Sequence, residues 1–153
     1  MSENRGVYKN LKRGRQLIRF DGCDIPGTNI TPTDIDAVYE YHDKAYLFIE
    51  VKCIGVDITK GQETFLKRIT FDTAKQGKKT IGLLVEHNVI NTDEDVWLTE
   101  CIIKKIYYYS AKFNETKIKD PKKQDMKVKD FIPLFFKQYV DGDNNQERSV
   151  TTI

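Results

Sequence analysis

Alternating polar and apolar residues dominate the stretch from Pro32 to Lys52 and predict a β-hairpin. The odd-numbered positions are apolar on both predicted strands, namely Ile35, Ala37, Tyr39 and Tyr41, then Leu47, Ile49, Val51 and Cys53. The even-numbered positions carry the charged residues Asp34, Asp36, Glu50 and Lys52. Successive side chains of a strand point to opposite faces. Each strand is therefore expected to have one core face and one charged face.

The length of the hairpin loop decides whether the charged residues of the two strands meet. A three-residue loop, His42 to Lys44, sets Asp36 opposite Glu50 and Asp34 opposite Lys52. A two-residue loop would split these residues between the two faces, because a one-residue slip turns every side chain over. The alternation favours the three-residue loop, since both apolar sets then share one buried face.

Carboxylates that face each other across a sheet destabilise it, so Asp36 and Glu50 are expected to share a cation. Their ligand atoms are oxygens only, which suits a hard divalent ion such as Mg²⁺ or Mn²⁺. Asp34 is either a ligand of a second ion or a cap at the start of the strand. The alternative is a surface hairpin in which Lys52 pairs with Asp34, an exposed contact worth about 0–1 kcal/mol. The apolar residues before Glu50 favour the buried, ion-binding arrangement.

The rest of the chain predicts an α/β protein with helices flanking a mixed sheet. A buried strand is expected beside the Glu50 strand, because it follows a helix and is apolar throughout. The predicted elements are a helix over 3–19, a short strand over 28–30, a helix over 59–74, a strand over 80–86, one or two strands within 96–109, a lysine-rich loop over 112–129 and a helix over 128–140.

An Asp at the start of one strand, followed by Glu-x-Lys on the next, resembles the PD-(D/E)xK nuclease superfamily. The similarity covers about residues 32 to 90 and lies in Asp36-Ala37-Val38 and Phe48-Ile49-Glu50-Val51-Lys52. It is greatest to the small Holliday-junction-resolvase-like and phage members. The resemblance implies a restriction-endonuclease-like core of αβββαβ order, with further strands and a helix after it. It also implies a Mg²⁺- or Mn²⁺-dependent endonuclease that hydrolyses DNA. Whether the enzyme prefers particular DNA structures stays open.

The resemblance assigns roles to individual residues of the hairpin. Asp36 would be the principal metal ligand, Glu50 the second and the backbone carbonyl of Val51 the third. Lys52 would orient the attacking water and stabilise the charge that develops on the phosphate. Gln62, in the first turn of the following helix, would help to fix the lysine or a phosphate; a solvent-exposed Gln is the alternative. Glu3 is the one acid of the N-terminal helix that would complete the site.

The N-terminal segment carries the most one-sided charge of the chain. Its basic residues include Lys9, Lys12, Arg13 and Arg15, and Glu3 is the acid among them. Beside a phosphodiester-cutting site they would contact DNA phosphates. The alternative is an ordinary solvated helix face.

Composition narrows the class of protein further. The chain has 153 residues, 39% of them hydrophobic and 31% charged, with a net charge of +2. These values are typical of one globular domain, expected over residues 1–140, followed by a polar tail over 141–153. Three cysteines far apart favour a reducing cytoplasm (the host's, for a phage protein), and no apolar run is long enough to span a membrane.

Two classes of function are open to a protein whose partner is DNA. The first is the metal-dependent endonuclease, acting alone, as a homodimer that cuts both strands, or within a larger complex. The second is a nucleic-acid-binding module or inhibitor built on a nuclease-like fold without turnover. Metal-dependent cutting separates the two.

Overall fold

The computed structural model describes residues 17–30 and 32–139. The chain divides into two compact units, Met1–Thr33 and Asp34–Ile153. The prediction of one domain over 1–140 stays a prediction, and the tail over 141–153 lies outside the described residues. So does most of the predicted N-terminal helix, but residues 17–19 are described and are not helical.

Residues 28–30 form a turn in the first unit, so the short strand predicted there was wrong. The Thr28 hydroxyl donates to the Ile25 carbonyl at 2.9 Å and accepts from the Ile30 N–H at 3.0 Å. The Ile25 N–H also donates to the Ile30 carbonyl. These local bonds favour a turn over an extended strand.

The second unit is built on a five-stranded mixed sheet, which confirms the predicted α/β class at that level. The strand order is β1-β2-β3-β4-β5; β2 and β3 run parallel, and the other neighbours are antiparallel. The elements in chain order are β1 (Ala37–Tyr41), β2 (Ala45–Cys53), α1 (Lys60–Lys75), β3 (Lys79–His87), β4 (Ile102–Ser110), β5 (Glu115–Lys119) and α2 (Val128–Tyr139).

The β1–β2 hairpin has the predicted register. Tyr41 pairs with Ala45 and Ala37 pairs with Ile49, around a loop of three residues. His42 and Asp43 in this loop have positive φ angles of 49° and 57°, which close the turn in the left-handed region. The observed pairing therefore ends one residue short of Asp36 and Glu50.

Both faces of the sheet are packed, which explains why β2 and β3 are apolar on both sides. One face packs with Phe131 and Phe135 of α2 and includes most of the odd-numbered hairpin residues. The other face packs with Leu66 of α1. Ile35 was predicted for the first face and instead packs in the second cluster. It precedes β1, where the alternation of a pleated strand does not apply.

Two further expectations need correction. The lysine-rich segment predicted as a loop contains β5, an edge strand that pairs with β4. The prediction of one or two strands within 96–109 is confirmed, because this segment holds the single strand β4, preceded by a 3₁₀ helix at Leu98–Glu100. In the described residues two strands, rather than three, precede α1.

Gly82 of β3 lets α1 pack closely against the sheet. A Cβ at this position would lie 2.8 Å from Thr70 Oγ1 and 3.0 Å from Leu66 Cδ1. Thr70 and Leu66 are both buried, so they have little room to move. We expect Gly82→Ala to lower the free energy of unfolding by about 1–3 kcal/mol, measured by denaturant titration.

Gly61→Ala is the matched control for this prediction. Gly61 lies in the first turn of α1, and a Cβ there would meet no atom within 4 Å. Alanine favours the helix more than glycine does, so this variant should have a free energy of unfolding up to about 1 kcal/mol higher than wild type. Equal stability of the two variants would contradict the close contact at Gly82.

Candidate functional site

The Asp36 carboxylate lies against the backbone of β2. Its Oδ2 accepts a hydrogen bond from the Val51 N–H at 2.7 Å. Val51 lies beyond the last residue of β2 that pairs with β1, so the carboxylate takes the place of a backbone acceptor there. This bond fixes Asp36 beside the Glu-Val-Lys segment of β2.

Glu50 and Lys52 are two residues apart on one strand and therefore share a face. Glu50 is only 5% exposed, and its Oε1 lies 2.8 Å from Lys52 Nζ. Burial raises the pKa of the Glu50 carboxyl, and Lys52 opposes this rise. The negative charges of Asp36 and Asp34 raise the Glu50 pKa further. The charges of Asp34, Asp36 and Lys52 thus all act on the Glu50 carboxyl.

The ion pair differs from the one expected of an ordinary surface hairpin. That alternative paired Lys52 with Asp34, whereas Lys52 contacts Glu50 in the structure. The side chains of Lys52 and Glu50 are 17% and 6% exposed. A pair this buried carries a desolvation cost that exposed pairs avoid.

The carboxylates of Asp36 and Glu50 are the oxygen donors that the hairpin holds beside Val51 and Lys52. In residues 17–30 and 32–139, no three His, Cys, Asp or Glu side chains form a ready-made metal cluster. Mg²⁺ needs one or two carboxylates and completes its shell with water and substrate phosphate. The donors are thus of the kind that Mg²⁺ accepts.

Gln62 has a structural role at the start of α1. The Thr59 side chain accepts from the Gln62 N–H at 3.2 Å, and the Gln62 side chain accepts from the Thr59 N–H at 3.3 Å. This is a reciprocal capping box, which satisfies free N–H groups at the helix end. The Thr-x-x-Gln spacing is the sequence signal by which this cap could have been found. A catalytic role for Gln62 stays a prediction.

Glu86 lies beside the candidate site and was not anticipated. It stands directly opposite Lys52 in the parallel β2–β3 ladder. Glu86 Oε2 lies 3.7 Å from Lys104 Nζ, and an irregularity in the β3–β4 pairing falls next to this lysine. The register of β2 with β3 could not be predicted from a continuous apolar run, which has no alternation to fix it.

The predicted DNA-contacting residues Lys9, Lys12, Arg13 and Arg15 lie outside the described residues, as does Glu3. Neither helix in the described ranges has the length and apolarity needed to cross a bilayer. Comparisons with protein-family models, with curated proteins and with solved structures found no match.

Proposed function

We propose that this protein is a divalent-metal-dependent DNA endonuclease of the PD-(D/E)xK type, built on a restriction-endonuclease-like core. The observation that carries the proposal is the arrangement on β2. Asp36 is bonded to the Val51 amide, and the buried Glu50 lies against Lys52 on the same face. An acid before one strand, followed by Glu-x-Lys on the next, supports the resemblance to the superfamily motif.

The donors proposed for the ion are Asp36, Glu50 and the Val51 carbonyl, with Asp34 nearby. A strand residue directs its N–H and C=O toward the same neighbour, and the Val51 N–H points to Asp36. The Val51 carbonyl is therefore expected at the same edge. When bound, a divalent ion supplies a water of lowered pKa and a Lewis acid for the phosphate.

Lys52 would stabilise the negative charge that develops on the phosphate. Its ammonium is held in a largely buried position by Glu50. There it can donate to the attacking water and to a phosphate oxygen as negative charge develops. Such donors act strongly in a site from which most water is excluded.

The energetics of Glu50 also favour a functional role. A carboxylate that is buried beside two other acids costs stability, and burial and those acids raise its pKa. Perturbed acids of this kind concentrate at functional sites. A bound cation would offset the repulsion that the structure places there.

DNA is proposed as the substrate, with its phosphates contacted by Lys9, Lys12, Arg13 and Arg15. The net charge of +2 is small, so affinity would come from this local cluster of positive charge. Binding should then weaken steeply with added salt.

We expect the purified chain to cut DNA only when Mg²⁺ or Mn²⁺ is present. Supercoiled, branched and single-stranded DNA are incubated with each ion, with Ca²⁺ and with a chelator, and products are separated on gels. Cutting that persists in the chelator would contradict the proposal. Salt-sensitive binding without cutting, with every ion and DNA form, would instead support the nucleic-acid-binding module.

A further inference from the structure

A cavity of about 420 Å³ lies at the carboxyl ends of β2 and β3. Its walls include Ile54, Glu86 and Trp97. Ile54 is two residues beyond Lys52, and its N–H donates to the His87 carbonyl at 2.7 Å. Glu86, opposite Lys52, belongs to the same wall. The cavity therefore begins next to the proposed catalytic lysine.

Trp97 is the most unusual residue of this cavity. Its side chain is 71% exposed, although an indole gains much stability from burial. Trp97 lies between the polar loop after β3 and the 3₁₀ helix, where its backbone carbonyl accepts the Glu100 N–H at 2.9 Å. The ring is thus carried on a fixed backbone at the cavity wall, and a flat aromatic ligand would cover it.

The other walls of the cavity suit a nucleobase. Val89 and Val96 provide apolar surface, while His87 and Asn88 provide hydrogen-bonding groups. His87 Nδ1 accepts from the Val89 N–H at 3.2 Å, which orients the ring and makes Nε2 its donor. Mostly apolar walls with a few polar groups are usual for ligand sites of about 300–1,000 Å³.

The charged residues that line the cavity are Glu86, Glu100 and Lys127. Glu100 accepts ion pairs from Lys127 at 2.6 Å and from Lys129 at 2.7 Å. These lysines lower the pKa of Glu100 to about 2, so its carboxylate stays ionised and held. Lys104 and Lys129, which are not lining residues, pair with Glu86 and Glu100, so each acid of the lining is held in an ion pair.

We infer that the cavity binds an unpaired nucleobase next to the phosphate that is cut, with Trp97 stacking on the base. The inference rests on the proposed function, because its ligand is the same nucleic acid. A base inside a duplex is stacked on both sides and cannot enter a cavity of this size. The protein would therefore prefer single-stranded, flapped or branched DNA over a perfect duplex.

Trp97 is the single tryptophan of the chain, so its fluorescence reports this cavity directly. The wild-type protein, in a chelator that prevents cutting, is titrated with a single-stranded oligonucleotide and with a blunt duplex of the same sequence. We expect saturable quenching by the single strand and much weaker quenching by the duplex. Equal quenching by both would overturn the inference.

Substitutions of Trp97 test the role of the indole ring. Binding is measured by the fluorescence anisotropy of a labelled single-stranded oligonucleotide. Trp97→Ala should weaken binding about tenfold, the usual effect of losing one base–aromatic stack. Trp97→Phe should restore most of the affinity, because a phenyl ring also stacks. Phe113→Ala, at another exposed aromatic outside the cavity, is the control and should bind as wild type does. Circular dichroism confirms that each variant is folded.

The outcomes separate this inference from the proposed function. Metal-dependent cutting with unchanged single-strand affinity in Trp97→Ala would reject the base site and leave the nuclease proposal standing. Ring-dependent binding of single strands without cutting by any ion would support the base site and reject hydrolysis.

Discussion

Glu50→Gln is expected to reduce metal-dependent DNA cleavage about a thousandfold. The amide keeps the size of the side chain and can still accept from Lys52, but it has lost the charge that binds the cation. Metal ions contribute several kcal/mol to such reactions, and each 1.36 kcal/mol is a factor of ten in rate. The initial rate of plasmid nicking in Mg²⁺ measures the loss.

The same substitution should stabilise the folded chain when no divalent ion is present. Burial raises the pKa of Glu50, so the folded state disfavours the charged carboxylate relative to the unfolded chain. Stability from this group is therefore present below the ordinary Glu pKa and is lost as pH rises through the raised value. Above that pH we expect the free energy of unfolding of Glu50→Gln to exceed that of the wild type by about 0.5–2 kcal/mol. At acidic pH we expect no difference.

Glu115→Gln is the matched control. Glu115 lies on the edge strand β5, is exposed and pairs with Lys117. Its substitution should leave the cleavage rate unchanged. It should change the free energy of unfolding by no more than about 0.5 kcal/mol. If Glu50→Gln cut DNA at the wild-type rate, the assignment of the ligands would be wrong.

Asp36→Asn is expected to have the second large effect, again a loss of about a thousandfold in cleavage. The Asn side-chain oxygen can still accept the Val51 N–H, so the hairpin should keep its stability. Asp34→Asn should lower the rate by about tenfold or less, because Asp34 is the more distant of the two acids in the predicted ladder. Nicking rates and thermal unfolding of both variants test this difference.

A larger loss in Asp34→Asn than in Asp36→Asn would reverse the order of the two ligands. It would then be Asp34, two residues after Pro32, that corresponds to the acid of the superfamily motif.

The hairpin could be predicted from the sequence because its alternation leaves only one register with a buried face. That register set Asp36 opposite Glu50; the observed pairing ends one residue short, at Ala37 and Ile49, and Asp36 lies beside β2 through its bond to the Val51 N–H. The crossover from β2 through α1 to β3 was likewise predictable, since an apolar strand after a helix fits beside β2.

In other parts of the chain the hydrophobic pattern did not predict the structure, and each case has a physical reason. β5 is an edge strand with lysines and one face toward solvent, so it resembles a polar loop in composition. The placement of Glu86 opposite Lys52 depends on the register between two apolar strands. Ile35 lies outside β1, where spacing no longer determines the face. The cavity at Trp97 joins segments that are far apart in sequence, and no local pattern identifies it.

Soaking a crystal of the chain in Mn²⁺ decides whether Asp36 and Glu50 hold a metal ion. We expect an anomalous peak about 2.0–2.2 Å from a carboxylate oxygen of Asp36, from one of Glu50 and from the Val51 carbonyl oxygen. We also expect Glu50 to turn at least one oxygen from Lys52 to the ion. A crystal that binds Mn²⁺ only elsewhere, with the Glu50–Lys52 pair unchanged, would contradict the metal site and the nuclease proposal with it.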